Sequence, residues 1–323
     1  MLLTCGFLFA LSVASTAEAQ FKGRNGRIFY ISDDASGNQR VFSSTAAGRL
    51  RKIVSPVGLD PDTLAVSPNG RKLAICGSRV TDQASWIFTG PAAGGKFRRL
   101  VEGCDPAFSP EGQRLAYTIT VEDQVVVQRS ELRTIGVNGK KRKTILRPPN
   151  LWLGSLAWTP NGRRIVFAGR QNPNLGPFDK EVYSVLARTG RDQRQITDDQ
   201  GLNVDFKDPD VSPNGRRVVV SAYDGAMSQA SIVSLPVGGG PIDVIATPSD
   251  AQLDFEEPTY SPDGKRIVFV RRDGNFDEYY LLFQGRLDGA VPNQSLMSPP
   301  LRVPTPSASP FGAFGGVWAA RRR

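Results

Sequence analysis

Ala157-Trp-Thr-Pro-Asn-Gly-Arg-Arg-Ile-Val-Phe167 decides the fold, because its pattern recurs along the chain. The pattern consists of a short apolar strand, a Ser/Thr-Pro-x-Gly turn and a second apolar strand. Four other segments carry it: Ala65–Ile75, Ala107–Tyr117, Asp210–Val220 and Thr259–Phe269. The prolines of the five copies are spaced 42, 50, 53 and 49 residues apart. Self-similarity at such a period indicates a repeat architecture built from one supersecondary unit.

The residues of the repeat favour a tight turn between two buried strands. Proline at the second turn position restricts φ to about −65°. Glycine at the fourth position adopts a backbone conformation that is unfavourable for residues with a side chain. The strand after the turn is apolar on both faces, as in Val218–Val220, which predicts a sheet covered on both sides. Stacked blades of a β-propeller provide such cover, and a blade of four strands fits the period.

The number of copies predicts six blades. A sixth, partial copy at Asn25–Ser32 contains the turn and the second strand but lacks the first strand. The segment Gly315–Ala319 is the candidate for the missing strand and would lie beside Ile28–Ser32. We therefore predict an all-β protein, a six-bladed β-propeller of four-stranded antiparallel blades. In this prediction residues 20–323 form one domain, and pairing of the N- and C-terminal strands closes the ring.

The N-terminus has the pattern of an export signal. Leu2–Val13 is apolar and is followed by Ala17-Glu18-Ala19, which predicts a secretory signal peptide at residues 1–19, cleaved after Ala19. The apolar run is too short to span a bilayer, and no later segment is predicted to do so. We expect a periplasmic or secreted protein. Two cysteines remain after cleavage, Cys76 and Cys104, and either a disulfide or two buried thiols fits the sequence.

The repeat resembles the WD-like propeller repeat of the TolB family. The resemblance is carried by Trp158 with Thr159-Pro-Asn-Gly162, and by Ser261-Pro-Asp-Gly264. It covers about residues 24–320. It implies an exported protein that acts through interactions with other molecules, but propellers host many unrelated functions.

The absence of histidine from the sequence restricts the chemistry available. It excludes a Ser-His-Asp triad and the histidine-assisted metal chemistry found on some propellers. Chemistry by carboxylates alone remains an alternative, as in a propeller hydrolase or lyase acting on a glycan or ester. We predict instead a non-catalytic scaffold, not an enzyme, that binds a protein or another ligand without a cofactor or metal.

The loops that enter the innermost strands are the candidate binding site. Five residues before each shared proline, the copies carry a set of mostly polar residues: Thr63, Asp105, Ser155, Asp208 and Glu257. These positions should meet at the mouth of the central channel. We predict that Asp105, Ser155, Asp208 and Glu257 bind a ligand there, with Trp152 exposed for stacking. The structural alternative is that the acids accept backbone N–H bonds before each strand.

The charge distribution suggests which partners to expect. A mainly acidic mouth on a chain of net charge +9 could receive a basic peptide from another envelope or extracellular protein. The run Lys140–Lys143 is the one dense basic cluster and is predicted to be a solvated hairpin or a contact for an acidic polymer. We predict no nucleic acid partner and a monomer. Asp273–Asp277 reads as a hairpin turn rather than a calcium loop, and Trp158 is predicted to pack between blades.

Overall fold

The computed structural model describes residues 24–45, 50–122, 128–148, 152–170, 180–199, 202–248, 253–273, 276–282 and 314–321. The predicted signal peptide at residues 1–19 lies outside these ranges. Within them the secondary structure is β-strand, numbered β1 to β23 in chain order. A search of the described residues finds no helix with the length and apolar character needed to cross a membrane.

The strands of the first half of the chain form three antiparallel sheets. Sheet 1 contains β1 (Arg24–Asp33), β2 (Gln39–Ser44), β3 (Lys52–Ile53) and the C-terminal strand β23 (Phe314–Arg321). Sheet 2 contains β4 (Asp60–Val66), β5 (Lys72–Ser78), β6 (Trp86–Pro91) and β7 (Arg98–Glu102). Sheet 3 contains β8 (Cys104–Phe108), β9 (Arg114–Glu122), β10 (Gln128–Gly136) and β11 (Lys143–Leu146).

The second half continues the same arrangement. Sheet 4 contains β12 (Trp152–Trp158), β13 (Arg164–Arg170), β14 (Lys180–Leu186) and β15 (Arg194–Gln195). Sheet 5 contains β16 (Val204–Val211), β17 (Arg217–Asp224), β18 (Gln229–Pro236) and β19 (Asp243–Ala246). Sheet 6 contains β20 (Leu253–Tyr260), β21 (Ile267–Asp273) and β22 (Phe276–Leu282).

The sheets are antiparallel blades of a β-propeller. The first strands of sheets 2 to 6 contact one another in order, so they are the innermost strands around a central channel. Five sheets have four strands, and sheet 6 has three among the described residues. The described residues therefore show five four-stranded blades rather than the six that the sequence predicted; residues 283–313, which follow β22, lie outside the described ranges. The C-terminal strand pairs with β1, with Ile28 opposite Trp318, as the sequence predicted.

The repeat turns adopt the predicted conformation. In sheet 2 the Gly70 N–H donates to the Ser67 carbonyl at 2.7 Å, and the Lys72 N–H donates to the Ser67 hydroxyl at 2.9 Å. The turns also stack on one another between blades. A Cβ on Gly162, whose φ is +66°, would lie 3.1 Å from Pro110 of the preceding turn. Glycine is therefore required both by its backbone conformation and by the close approach of the neighbouring blade.

The apolar strands are buried from both sides, as predicted. Val218 and Val220 cluster with Val166 of sheet 4, whereas Val219 clusters with Ile267 of sheet 6. Successive side chains of a strand point to opposite faces of its sheet. A strand between two neighbouring blades therefore needs an apolar residue at every position, which accounts for the continuous Val-Val-Val run.

Candidate binding site at the channel mouth

Four of the predicted site residues occupy one repeated backbone position. Asp105, Ser155, Asp208 and Glu257 have φ values of 49°, 50°, 54° and 53°. Each lies at an irregularity in the pairing of its innermost strand with the next strand. The four residues thus lie within the innermost strands, whereas the sequence had predicted them in the loops before these strands. A β-bulge inserts an extra residue into a strand and redirects its side chain. The left-handed conformation is costly for residues that carry a Cβ, so the fold holds these four side chains in place.

Hydrogen bonds link these residues from blade to blade. The Asp105 carboxylate accepts the backbone N–H of Ser155, and the Ser155 hydroxyl donates to Asp208 at 3.0 Å. Asp208 also accepts from the Ser221 hydroxyl at 3.3 Å, and that hydroxyl accepts the backbone N–H of Glu257 at 3.0 Å. The contact of Asp105 with a backbone N–H is the kind that the structural alternative predicted. The same network brings the four residues together around the channel.

The channel holds a cavity of about 240 Å³. Equivalent segments of five innermost strands line it, together with Pro213 and Pro262: Asp62–Val66, Asp105–Phe108, Ser155–Trp158, Asp208–Val211 and Glu257–Tyr260. Five of these described lining residues carry carboxylates, and none of them is a lysine or arginine. We call the set of Asp62, Asp105, Asp208, Asp210 and Glu257 the acidic mouth.

Burial raises the pKa of four carboxyl groups of the acidic mouth, including Asp62, where the charge of Asp60 adds to the effect. It raises the pKa of Asp105 to about 6, with the charges of Asp62 and Asp208 adding to the effect and a hydrogen bond from Thr118 opposing it. It raises the pKa of Asp210 to about 7 against two backbone hydrogen bonds. The pKa of Asp208 is also raised by burial, although the charge of neighbouring Lys207 lowers it. A cation entering the cavity would favour the ionised form of each group.

Asp210 was not among the predicted site residues, yet it lines the cavity. Its carboxylate accepts the N–H groups of Tyr260 at 2.7 Å and Val211 at 2.9 Å. A comparison of the repeat copies could have identified Asp210. At the same position of the repeat three other copies carry alanine, Ala65, Ala107 and Ala157, so a carboxylate there departs from the structural pattern.

The cation nearest the acidic mouth already has a partner. Lys207 forms an ion pair with Glu256, a buried residue whose second oxygen lies 3.1 Å from Arg272. The described lining residues include no lysine or arginine, and the charge of Lys207 acts on Asp208 from outside the lining.

Trp152 lies near Asp105 but outside the cavity lining: a Cβ on Gly154 would lie 3.1 Å from the Trp152 ring and 3.2 Å from the Asp105 carboxylate. It stands at the beginning of β12 with 41% of its surface exposed, and the Lys180 ammonium lies 5.3 Å from its ring centre. It does not line the cavity. The structure thus brings together Asp105, Ser155, Asp208 and Glu257 but places Trp152 on the surrounding surface.

A disulfide joins two blades beside the acidic mouth. Cys76 of β5 is bonded to Cys104 of β8, which decides between the two alternatives that the sequence left open. The Asp62 carboxylate lies 3.3 Å from the Cys104 sulfur. These three residues are close enough to hold a metal ion, but the disulfide removes both thiolates as ligands. That the chain needs no metal or cofactor remains a prediction.

The sequence matches no protein-family model, and comparison with curated proteins finds no significant match. The structure is similar to solved β-propellers. TolB from Acinetobacter baumannii superposes with a TM-score of 0.66 and 15% identity over 94% of this chain and 68% of that chain.

Two further structures extend the comparison. A chain of a nidogen/laminin complex gives a TM-score of 0.65 at 10% identity, over 92% of this chain and 99% of that chain. An oligogalacturonate lyase in complex with manganese gives a TM-score of 0.51 at 16% identity, over 72% of this chain and 68% of that chain. Identities this low show the fold alone. The chain therefore has the fold of the TolB-like β-propellers.

Proposed function

We propose that this chain is a non-catalytic TolB-like β-propeller whose acidic mouth binds a cationic segment of another protein. The observation that carries the proposal is the convergence of five carboxylates, from four blades, on one cavity without a lining lysine or arginine. Its volume of about 240 Å³ is below the roughly 300–1,000 Å³ of sites for small molecules. A cavity of this size fits a lysine or arginine side chain that a partner protein inserts. The lack of histidine in the chain also supports a binding role.

The proposed protein is a monomer exported through a signal peptide at residues 1–19, with one propeller domain at residues 20–323. The disulfide supports export, because such bonds persist in oxidising compartments. In the proposal sheet 6 is a sixth blade and the ring is closed. Two observations support closure. First, β23 contacts β4 on one side and both β20 and β21 on the other. Second, Asn25 and Asp263 hydrogen bond between the first and last sheets.

Neutralising the acidic mouth should weaken binding of a cationic peptide. We expect the combined variant Asp105→Asn, Asp208→Asn and Glu257→Gln to bind a fluorescent lysine-rich peptide at least about tenfold more weakly. The reason is that a hydrogen bond to a charged group contributes about 1.5–3 kcal/mol, which corresponds to at least a tenfold change. Fluorescence anisotropy at neutral pH measures the affinity.

A matched control carries the same charge change at the other end of the channel. Glu111→Gln, Asp192→Asn and Asp243→Asn are exposed and should leave peptide affinity within about twofold, since exposed surface changes have small effects. Equal affinities of the two combined variants would contradict the proposal. A pull-down from envelope extract with the unaltered chain and both variants then identifies the natural partner.

Peptide affinity should rise with pH. Below pH 6 the Asp105 and Asp210 carboxyls are protonated and neutral, because their pKa values are raised to about 6 and about 7. Above pH 7 both are ionised and attract a cation. We expect affinity for the lysine-rich peptide, which stays positively charged over this range, to increase at least about fivefold between pH 5 and pH 8. An affinity that does not change over this range would show that these groups do not contact the ligand.

One observation favours a second candidate function. A carboxyl group with a pKa of about 6 beside other carboxylates, as at Asp105, resembles the acid of a carboxylate-only hydrolase or lyase. Turnover of uronate oligosaccharides or simple esters by the unaltered chain, abolished in Asp105→Asn, would replace the binding proposal with this one. Turnover that persists in Asp105→Asn would place the chemistry elsewhere.

A further inference from the structure

Basic residues gather at the end of the propeller opposite the acidic mouth. Each innermost strand runs from the bulge that carries a residue such as Asp105 or Asp208 to a Ser/Thr-Pro-x-Gly turn, so the turns form the far end of the strands, which we call the turn face. The cavity extends toward this face as far as Pro213 and Pro262. In four blades the residue after the turn glycine is an exposed cation: Arg71, Arg163, Arg216 and Lys265. None of the four side chains forms an ion pair with any residue that the structure describes.

The outer hairpins add cations to the same face. Arg114, which follows the turn of sheet 3, pairs with Gly136, so the hairpin that carries Lys140–Lys143 lies at the turn face. The four residues Lys140–Lys143 are all exposed. The Lys143 ammonium donates to the Arg188 carbonyl of the neighbouring blade at 2.6 Å, which aligns the two hairpins. Lys140–Lys143 is thus part of a charged surface that extends over several blades.

Most of the carboxylates near the turns are ion-paired; Asp263, within a turn, instead accepts hydrogen bonds from Asn25 and Ser261. Three of them form ion pairs with the arginines that follow the turns: Glu111 with Arg114 at 2.9 Å, Asp192 with Arg164 at 2.7 Å, and Asp243 with Arg217. The cations named above are therefore in excess.

We propose that the turn face docks on the surface of an anionic phospholipid membrane. Its cations are spread around a ring, which matches a planar sheet of headgroups better than a linear polymer. Leu50, 74% exposed, lies at the same end, because its carbonyl accepts a hydrogen bond from Arg27 of the first turn. An apolar side chain is favourable at a lipid interface.

Docking in this orientation places the bulges that carry Asp105, Asp208 and Glu257 on the side of the cavity away from the membrane. Anionic headgroups attract the turn face and repel the carboxylates at the opposite end. The mouth then faces the solution, where a partner with a cationic segment can reach it. This inference concerns a different surface from the proposed peptide site, so either can fail without the other.

Co-sedimentation of the purified protein with vesicles tests the proposal. We expect binding to vesicles of phosphatidylglycerol and phosphatidylcholine, release at high salt, and no binding to phosphatidylcholine alone. The double variant Arg163→Gln and Arg216→Gln should bind at least tenfold more weakly, because each cation near an anionic surface contributes roughly a factor of five. Lys140→Gln with Lys141→Gln should show a similar loss.

A control pair removes two cations at the mouth end, Arg79→Gln and Lys180→Gln, and should bind vesicles like the unaltered chain. Thermal unfolding of each variant verifies that the fold is retained. Equal vesicle binding of the control and turn-face variants would overturn the proposal. Binding to duplex DNA or heparin at a salt concentration where no vesicles bind would also overturn it, in favour of an anionic polymer.

Discussion

Replacing Cys76 and Cys104 together by serine is expected to lower the free energy of unfolding by about 3–4 kcal/mol. The bond joins sheets 2 and 3 across a separation of 28 residues. In the chain-entropy account, a cross-link over a loop of this length restricts the unfolded chain and stabilises the fold by about that amount. Urea unfolding followed by tryptophan fluorescence measures the difference.

Two comparisons test whether the loss of stability comes from the disulfide bond itself. Reduction of the unaltered chain with dithiothreitol should reproduce the loss. The double serine variant should be insensitive to the reductant. Because Cys104 directly precedes Asp105, we also expect the variant to bind the lysine-rich peptide more weakly. A change in unfolding free energy below about 1 kcal/mol would mean that contacts between the blades, rather than the bond, hold sheets 2 and 3 together.

Trp158→Ala is expected to destabilise the protein by about 4 kcal/mol. The side chain is 2% exposed and clusters with Leu153, Ile165 and other core residues. Its indole N–H donates to the Ala107 carbonyl of the neighbouring blade at 3.1 Å. Truncation of a buried tryptophan leaves a cavity and typically costs about 3–5 kcal/mol. Urea unfolding again gives the change in free energy.

Two variants separate the contributions at this position. Trp158→Phe keeps most of the apolar contact but loses the hydrogen bond, so it should cost about 1–2 kcal/mol. Trp152→Ala removes an exposed tryptophan six residues earlier and should change stability by no more than about 0.5 kcal/mol. A similar loss from Trp152→Ala and Trp158→Ala would contradict the assignment of Trp158 to the contact between blades.

Much of the fold could be predicted from local features of the sequence. The turn at Ser67–Gly70 follows from the backbone preferences of proline and glycine, which act within four residues. The burial of Val218–Val220 follows from the absence of a polar face. The strand at Gly315–Ala319 was predicted because the partial copy at the N-terminus lacked a partner, and it pairs with β1.

The candidate site could be predicted only in part. Its four central residues were found because they recur at one position of the repeat, whereas Trp152 was included for its residue type and lies outside the cavity. Asp210 was missed because the predicted residues were taken five positions before each shared proline, whereas Asp210 lies three positions before Pro213. The left-handed conformation shared by Asp105 and Glu257 was also not predicted, because glycine is the residue type that indicates this conformation in a sequence and neither residue is a glycine.

The sequence by itself determined the blade, because turn geometry and strand burial depend on neighbouring residues and recur in every copy. Only the tertiary structure decided which residues of different blades meet. The bond between Cys76 and Cys104, the convergence of Asp62 with Asp208, and the separation of acidic mouth from basic turn face all depend on how neighbouring sheets are placed around the channel. That placement is set by packing between strands about fifty residues apart in the chain, and no local preference encodes it.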